Sequence, residues 1–200
     1  MRVSRKQAEE NRENVINVAS RLFRENGFDG IGLKDLMKGA GLTQGAFYKQ
    51  FASKEDLAVQ ASSRAFESAT RHWSSAVEAN PEDPLGAVLA FYLSMGHREE
   101  KMDGCPIVAL GSDAARQGSD VKASFETGIK RHLDILDNLA GKPCGEKPSA
   151  TSMAVLSTMV GALVLSRAVN DKALSAGFLQ AAAANALKVA GRDTETGANQ

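Results

Sequence analysis

The stretch that most constrains the fold is LKDLMKGAGLTQGAFYKQF, residues 33–51. Leu33, Leu36, Met37 and Ala40 recur at the spacing of one helix face, and Gly41 then interrupts the pattern. Thr43, a good N-cap residue, opens a second short helical segment in which Phe47 and Phe51 lie four residues apart and share a side. Only Gly41 and Leu42 separate the two segments, so the chain must reverse in a tight turn. A first apolar stripe, Val15, Ile16, Ala19, Leu22 and Phe23, precedes them and ends at Gly27. Two short helices held by a first helix, all three sharing one small core, follow from this.

The rest of the chain repeats the helical period. Strand signals are nearly absent: there are no alternating β-branched runs, and no Asn-Gly pair joins two of them as a hairpin turn. The periodicity predicts nine helices, near 5–26, 33–40, 43–51, 53–79, 84–98, 106–115, 120–140, 150–170 and 174–190, an all-α chain. SKED, residues 53–56, offers Ser53 as a cap and Asp56 as the partner of a capping box. We expect a division at about residue 52, with residues 1–52 a three-helix unit, residues 53–200 a larger helical domain and 53–79 the linking helix. The tail GRDTETGANQ is expected to be disordered.

Composition narrows the class. The chain is formally neutral, yet residues 1–51 carry nine basic and six acidic side chains, placing the positive end on the short helices. The two cysteines, Cys105 and Cys144, stand too far apart to read as a disulfide framework or a metal site, so no metal and no cofactor is expected. A Cys105–Cys144 bridge has no geometric support in the sequence. MAVLSTMVGALVLSRAV reads as too short and too polar to span a bilayer, and the start is charged; no membrane partner and a cytoplasmic location are expected.

Three helices joined by a tight turn form a helix-turn-helix unit, whose last helix enters a DNA major groove. With Phe47 and Phe51 turned inward, Gln44, Gly45, Tyr48 and Lys49 face outward. Gly45 and Ala46 let the helix start approach DNA, and Gln44 has the donor and acceptor to pair with a base edge. Thr43, Tyr48, Lys49 and Lys54, with Lys34 on the preceding helix, suit phosphate contacts.

VINVASRLFRENGFDGIGLKDLMKGAGLTQGAFYKQFASKEDL resembles the N-terminal region of the TetR family of transcriptional regulators. The shared elements are A..LF...G in the first helix, AGLT.GAFY..F, and SKEDL. The resemblance implies a dimeric all-α repressor of double-stranded operator DNA, with a larger effector-binding domain. Many members have His where this chain has Gln50, so no backbone contact is assigned there.

In the larger domain, residues 153–169 are apolar nearly all round, which demands burial on more than one side. Met153, Leu156, Val160 and Leu163 form one seam; Val155, Met159 and Ala162 form another. FLQAAAANALKVA, with Leu187, adds a small-residue surface. The family resemblance assigns these last two helices to a homodimer interface, with Met153, Leu156, Val160, Leu163 and Leu187 as its candidate residues; burial inside a monomer is the alternative.

For the effector, Trp73, Phe91, Tyr92, Met95, Phe125 and Met159 are candidates to line a cavity, or else plain core. His97 and His132 are candidate polar anchors, or structural residues. In MDGCPIVALGSDAA, Pro106 suits a first helical position and places Cys105 at the N-cap, where a sulfur aimed at the helix end would have a lowered pKa. GCP at a helix start also resembles a subset of TetR-like regulators that answer N-ethylmaleimide-type electrophiles through a cysteine. Cys105 is therefore either a reactive sensor or a small residue packing at a helix start. Two rivals stand beside the regulator: a thiol-dependent helical enzyme using Cys105 with His97 or His132 as base, and a helical adaptor that binds only protein.

Overall fold

A computed structural model describes residues 4–142 and 147–191; Cys144 and the tail from residue 192 lie outside the described residues. Among the described residues there are ten helices and no strand. They are α1 Arg5–Asn26, α2 Leu33–Gly39, α3 Gln44–Phe47, α4 Lys54–Ala79, α5 Pro84–Tyr92, α6 Met95–Glu99, α7 Pro106–Ala114, α8 Ser119–Leu139, α9 Ala150–Ala168 and α10 Lys172–Val189. The chain forms two compact units. One holds the residues up to Ala69 together with Lys101–Gly128; the other holds Thr70–Glu100 and the chain from Ile129 onward. Both α4, which covers the expected linking helix, and α8 contribute residues to each unit.

The tenth helix arises inside the span expected to be one helix, 84–98. Ser94 adopts an extended backbone, and its Oγ accepts the His97 N–H at 3.1 Å, starting α6 afresh. The same hydroxyl donates to the Phe91 carbonyl at 2.8 Å, so one serine closes α5 and opens α6. Periodicity alone does not reveal that break.

In the first unit, α1 is capped by Ser4, whose Oγ accepts the Gln7 N–H, and buries Val15, Ile16, Ala19 and Phe23. It ends at Gly27. The turn after α2 is a Schellman arrangement: Gly41, at φ +72°, donates to the Lys38 carbonyl at 3.0 Å, and Leu42 donates to that of Met37 at 2.9 Å. Only glycine takes that conformation without strain, so Gly41 sets the angle between α2 and α3. α7 docks on α1, where Asp113 accepts the Phe28 N–H at 3.2 Å. Phe28 packs edge-on against Phe23 and Phe125, and Phe125 against Phe66. Phe66 lies so close to Gly128 that any side chain there would strike the ring.

In the second unit, α9 and α10 pack along one another, Ala162, Ala182 and Ala186 are buried, and the buried Ser175 hydroxyl donates to the Ser166 carbonyl at 2.8 Å. Asp171 opens α10 by accepting the N–H groups of Ala173 and Leu174. Two arginines exchange helix ends. Arg98 donates to the Ser166 carbonyl near the end of α9, and Arg167 donates to the carbonyls of His97, Arg98 and Glu100 at the end of α6. Each thereby satisfies carbonyls that have no partner within their own helix.

α9 corrects two expectations. At 19 residues it is, by length and composition, long and apolar enough to cross a membrane, although it was expected to fall short. Its seams also divide differently. Leu156 and Leu163 are buried within this chain beside Val155, Met159 and Ala162, so they do not reach a surface where a partner would meet them. Met153 is exposed, and Val160 and Leu187 are half-buried. The outward apolar surface instead adds Val164, Leu165, Leu174 and Val189, which the sequence left unassigned. A helix apolar on every side gives no contrast from which to choose its inner face.

Candidate nucleic-acid interface

The recognition segment is built from behind. Phe47 and Phe51 are both buried and stack at 5.4 Å, anchoring the two ends of the segment that carries the polar side chains. α3 itself spans Gln44–Phe47, shorter than the expected 43–51, because residues 48–50 continue as a turn. The Phe51 N–H still reaches the Phe47 carbonyl at 3.0 Å, which holds the aromatic pair in helical register. Thr43 occupies the N-cap position in extended backbone, but its side chain makes no capping hydrogen bond. Its hydroxyl is exposed instead, along with Gln44, Gly45, Tyr48 and Lys49. Tyr48 is 69% exposed, its ring resting edge-on against Phe47 at 5.3 Å. Ala46 and Lys54 are half-buried, and Lys34 is exposed on α2. Gln50 differs from its neighbours: its side-chain oxygen is buried.

A chain of polar contacts, missed in the sequence, positions this segment from α1 and α4. The Arg12 guanidinium lies over the Phe51 ring at 5.2 Å and donates to Gln60 at 2.6 Å. Gln60 donates to Asp56 at 2.7 Å, and Asp56 accepts the Ala52 N–H at 3.0 Å. Ser53 accepts the Asp56 N–H at 3.0 Å, so the expected capping box forms with its return bond one residue earlier than the usual pattern. Asn14 donates to the Ala40 carbonyl at 2.9 Å, tying α1 to the turn before α3. Residues of α1 read as solvent-facing in a periodic pattern, so nothing local marks Arg12 and Asn14 as positioning groups.

The residues expected to meet an effector divide between the two units. Trp73, Phe91, Tyr92 and His132 come together in the second. The His132 ring lies against Trp73 at 4.4 Å, Trp73 meets Tyr92 edge-on at 6.1 Å, and His97 stacks on Phe91 at 5.3 Å. His97 Nδ1 is 2.7 Å from the Tyr92 carbonyl oxygen. Burial, with a smaller effect from Arg131, pushes the His132 imidazole down to about 4, and burial also lowers His97. Both rings are therefore neutral at pH 7. Met159 is fully buried and Met95 half-buried in the same unit. Phe125 belongs to the first unit, in the aromatic cluster with Phe28 and Phe66.

Cys105 also lies in the first unit. It occupies the N-cap position of α7 ahead of Pro106, as expected, but it is buried and its side chain accepts no capping bond from the helix. The preceding loop is held by the buried Arg24 of α1, which donates to the Gly104 carbonyl at 2.8 Å and pairs with Asp103 at 3.4 Å. Among the described residues, no group of three or more His, Cys, Asp or Glu side chains is placed to hold a metal ion.

The family model described as bacterial regulatory proteins, tetR family, matches residues 15–61, which span the last part of α1 through the first turns of α4. The chain is 24% identical over 163 residues to the HTH-type transcriptional regulator LmrA of Bacillus subtilis, covering 78% of this chain and 86% of that protein. It is 24% identical over 128 residues to the HTH-type transcriptional repressor NemR of Escherichia coli K12, covering 62% of this chain and 64% of NemR. Among solved structures, a TetR transcriptional regulator from Chloroflexus aurantiacus superimposes with a TM-score of 0.77 at 23% identity, over 94% of this chain and 98% of that one. The reduced form of E. coli NemR gives 0.74 at 20% identity, over 90% and 97%.

Proposed function

We infer that this chain, whose residues 15–61 match the tetR family model, is a TetR-type regulator: a homodimeric, effector-released repressor acting in the cytoplasm on a palindromic operator. The observation that carries the reading is the exposed set Thr43, Gln44, Gly45, Tyr48 and Lys49, presented by a segment whose other face is an aromatic stack. Gln44 reads a base edge; Thr43, Tyr48, Lys49, Lys34 and Lys54 contact phosphates and set the register. Residues 1–52 form the DNA-binding part and residues 53–200 the effector and dimer part. The dimer forms across the outward faces of α9 and α10, through Met153, Val160, Val164, Leu165 and Leu187. Two protomers then place their recognition segments in successive major grooves.

The effector shifts the population toward a conformation in which those segments no longer match the grooves, and it must bind that conformation more tightly. The cluster of Trp73, Phe91, Tyr92 and His132 supplies aromatic walls for a reversible ligand. A second reading, modification of Cys105 by an electrophile, is favoured by one observation: the loop before Cys105 is held by Arg24 of α1, within the unit that reads DNA. An adduct at this buried thiol would form one residue from the Gly104 carbonyl that Arg24 of α1 holds.

Fluorescence anisotropy on the DNA upstream of the protein's own gene, at fixed salt, tests both readings. Specific binding that weakens with salt is expected. Release by N-ethylmaleimide in wild type, but not in Cys105→Ser, assigns the sensor; equal behaviour of the two proteins removes Cys105 from the mechanism. The thiol-enzyme alternative finds no support in the named relatives, which are regulators. Repeated turnover of an electrophilic substrate, instead of a single stoichiometric reaction, would revive it.

A further inference from the structure

We propose that the first unit holds a second small-molecule site, distinct from the Trp73 cluster, that takes a compact aromatic carboxylate. A cleft of about 290 Å³ opens between the end of α1, the start of α4 and the α7–α8 connection. That volume is near the lower end for ligand pockets, roughly 300 Å³. Its floor is apolar, formed by Phe23, Phe28 and Ala58, all buried, with the two rings meeting edge-on at 5.2 Å. A flat aromatic body fits such a floor.

The rim decides the charge of the ligand. It carries two acids and two bases, Asp29, Glu55, Lys54 and Arg116, but they are not equally committed. Asp29 accepts a hydrogen bond from Gln117 at 3.2 Å. One Glu55 carboxylate oxygen lies over Gly118, only 2.2 Å from where a Cβ would stand, at the N-terminal end of α8. There the helix dipole favours a negative charge. Arg116 gives one nitrogen to Asp113 while its side chain stays 66% exposed, leaving further N–H donors. Lys54 is half-buried, and among the described residues no carboxylate stands within ion-pair distance of it. Asp29 lies against Gln117 and Glu55 against the start of α8, whereas Lys54 has no ion-pair partner among the described residues, so the ligand we infer is an anion seated on Lys54.

Lys54 is also a proposed phosphate contact, which gives the site a regulatory consequence resting on the DNA-binding reading. A carboxylate seated on Lys54 withdraws it from the backbone. The affinity for operator then falls roughly fivefold, and the slope of log K against log salt loses about one unit.

The test uses the full chain and three probes: benzoate, 2-naphthoate and indole-3-acetate. Amide NMR spectra of wild type, without DNA, should show saturable shifts at Phe28, Ala58 and Gly118 with at least one acid at millimolar concentration. The neutral 2-naphthamide should bind roughly tenfold more weakly than the acid, as should 2-naphthoate to the Arg116→Gln, Lys54→Gln double variant. Failure of all three acids to saturate those amides overturns the proposal. So do shifts confined to Trp73 and Tyr92, or equal binding of the amide and the acid. Anisotropy then reads the DNA half: 2-naphthoate should lower the salt slope in wild type and not in Lys54→Gln. An unchanged slope with intact NMR binding overturns the regulatory role only. Absence of operator binding without any probe strikes instead at the DNA-binding reading.

Discussion

The recognition segment and α9 are both bordered by apolar residues, yet they present opposite problems. Around α3, two aromatic rings face in and five polar or small residues face out, so each position has one natural side. Along α9, both sides are apolar, and burial alone separates Val155, Met159 and Leu163 within from Met153, Val164 and Leu165 without. The contrast in chemistry between two faces carries structural information; apolar content by itself does not. What marks α9 as unusual is the outward half, which a monomer leaves wet and a partner would cover.

The largest test of that comparison removes an inward ring. Phe47→Ala should destabilise the protein by about 3–5 kcal/mol, since Phe47 is fully buried and stacked on Phe51. Leu165→Ala, on the outward face of α9, should cost the monomer less than about 0.5 kcal/mol. Urea denaturation at protein concentrations below dimerisation measures both. Equal losses would erase the distinction between the two regions.

The second test concerns two buried polar groups on α8, His132 and Asp137. His132 has a folded-state pKa pushed down to about 4 by burial, against 6.5 when exposed. The unfolded chain therefore binds the proton more readily between those values. Stability should fall as pH drops through 6.5 and level off below about 4, by an amount on the order of 3 kcal/mol. His132→Phe should reduce that loss, leaving the share that His97, also lowered by burial, contributes. A separate loss at lower pH should remain, because Asp137 is held low: its burial disfavours the charge, but hydrogen bonds from Ser149 and Ser152 outweigh it. Denaturation midpoints from pH 7 to pH 4 check the sign and the window.

Legibility in the sequence followed the same contrast. Gly41 announced its turn because only one residue type tolerates that backbone, and Phe47 and Phe51 announced the inner face of α3 by spacing. Cys105 was placed at the start of α7 by Pro106 alone. Ser94 gave no warning, because a serine inside an apolar run is equally compatible with a continuing helix until its hydroxyl is seen bonded to His97 N–H. Arg12, Gln60 and Arg24 were invisible for another reason. Their partners lie 39 to 80 residues away along the chain (Phe51, Gln60 and Gly104), and a periodic pattern records only which residues face inward. The burial of Leu156 and Leu163 within the chain was not legible, because α9 is apolar all round.

The third test asks whether the outward half of α9 meets a second copy. The double change Val164→Asp, Leu165→Asp places charges at two exposed positions, so the monomer should fold unchanged by circular dichroism. Self-association should weaken by roughly a hundredfold, read by sedimentation at several concentrations. If the variant still dimerises like wild type, the outward apolar surface is not the interface, and the dimer must form elsewhere.

The two smallest effects separate roles within the recognition segment. Gln44→Ala should cost about 1–3 kcal/mol on the operator and should relax preference at a single base pair, because a base-edge contact carries sequence information. Lys49→Gln should behave differently. An exposed lysine that meets only phosphate lowers affinity for operator and random DNA alike, by about 1 kcal/mol, and reduces the salt slope by about one unit. Anisotropy titrations of both variants, on operator and on a shuffled duplex at several salt concentrations, distinguish the two patterns. If Lys49→Gln changes sequence preference while Gln44→Ala changes only the salt slope, the assignments reverse, and the segment lies in the groove rotated from the orientation inferred from its aromatic stack.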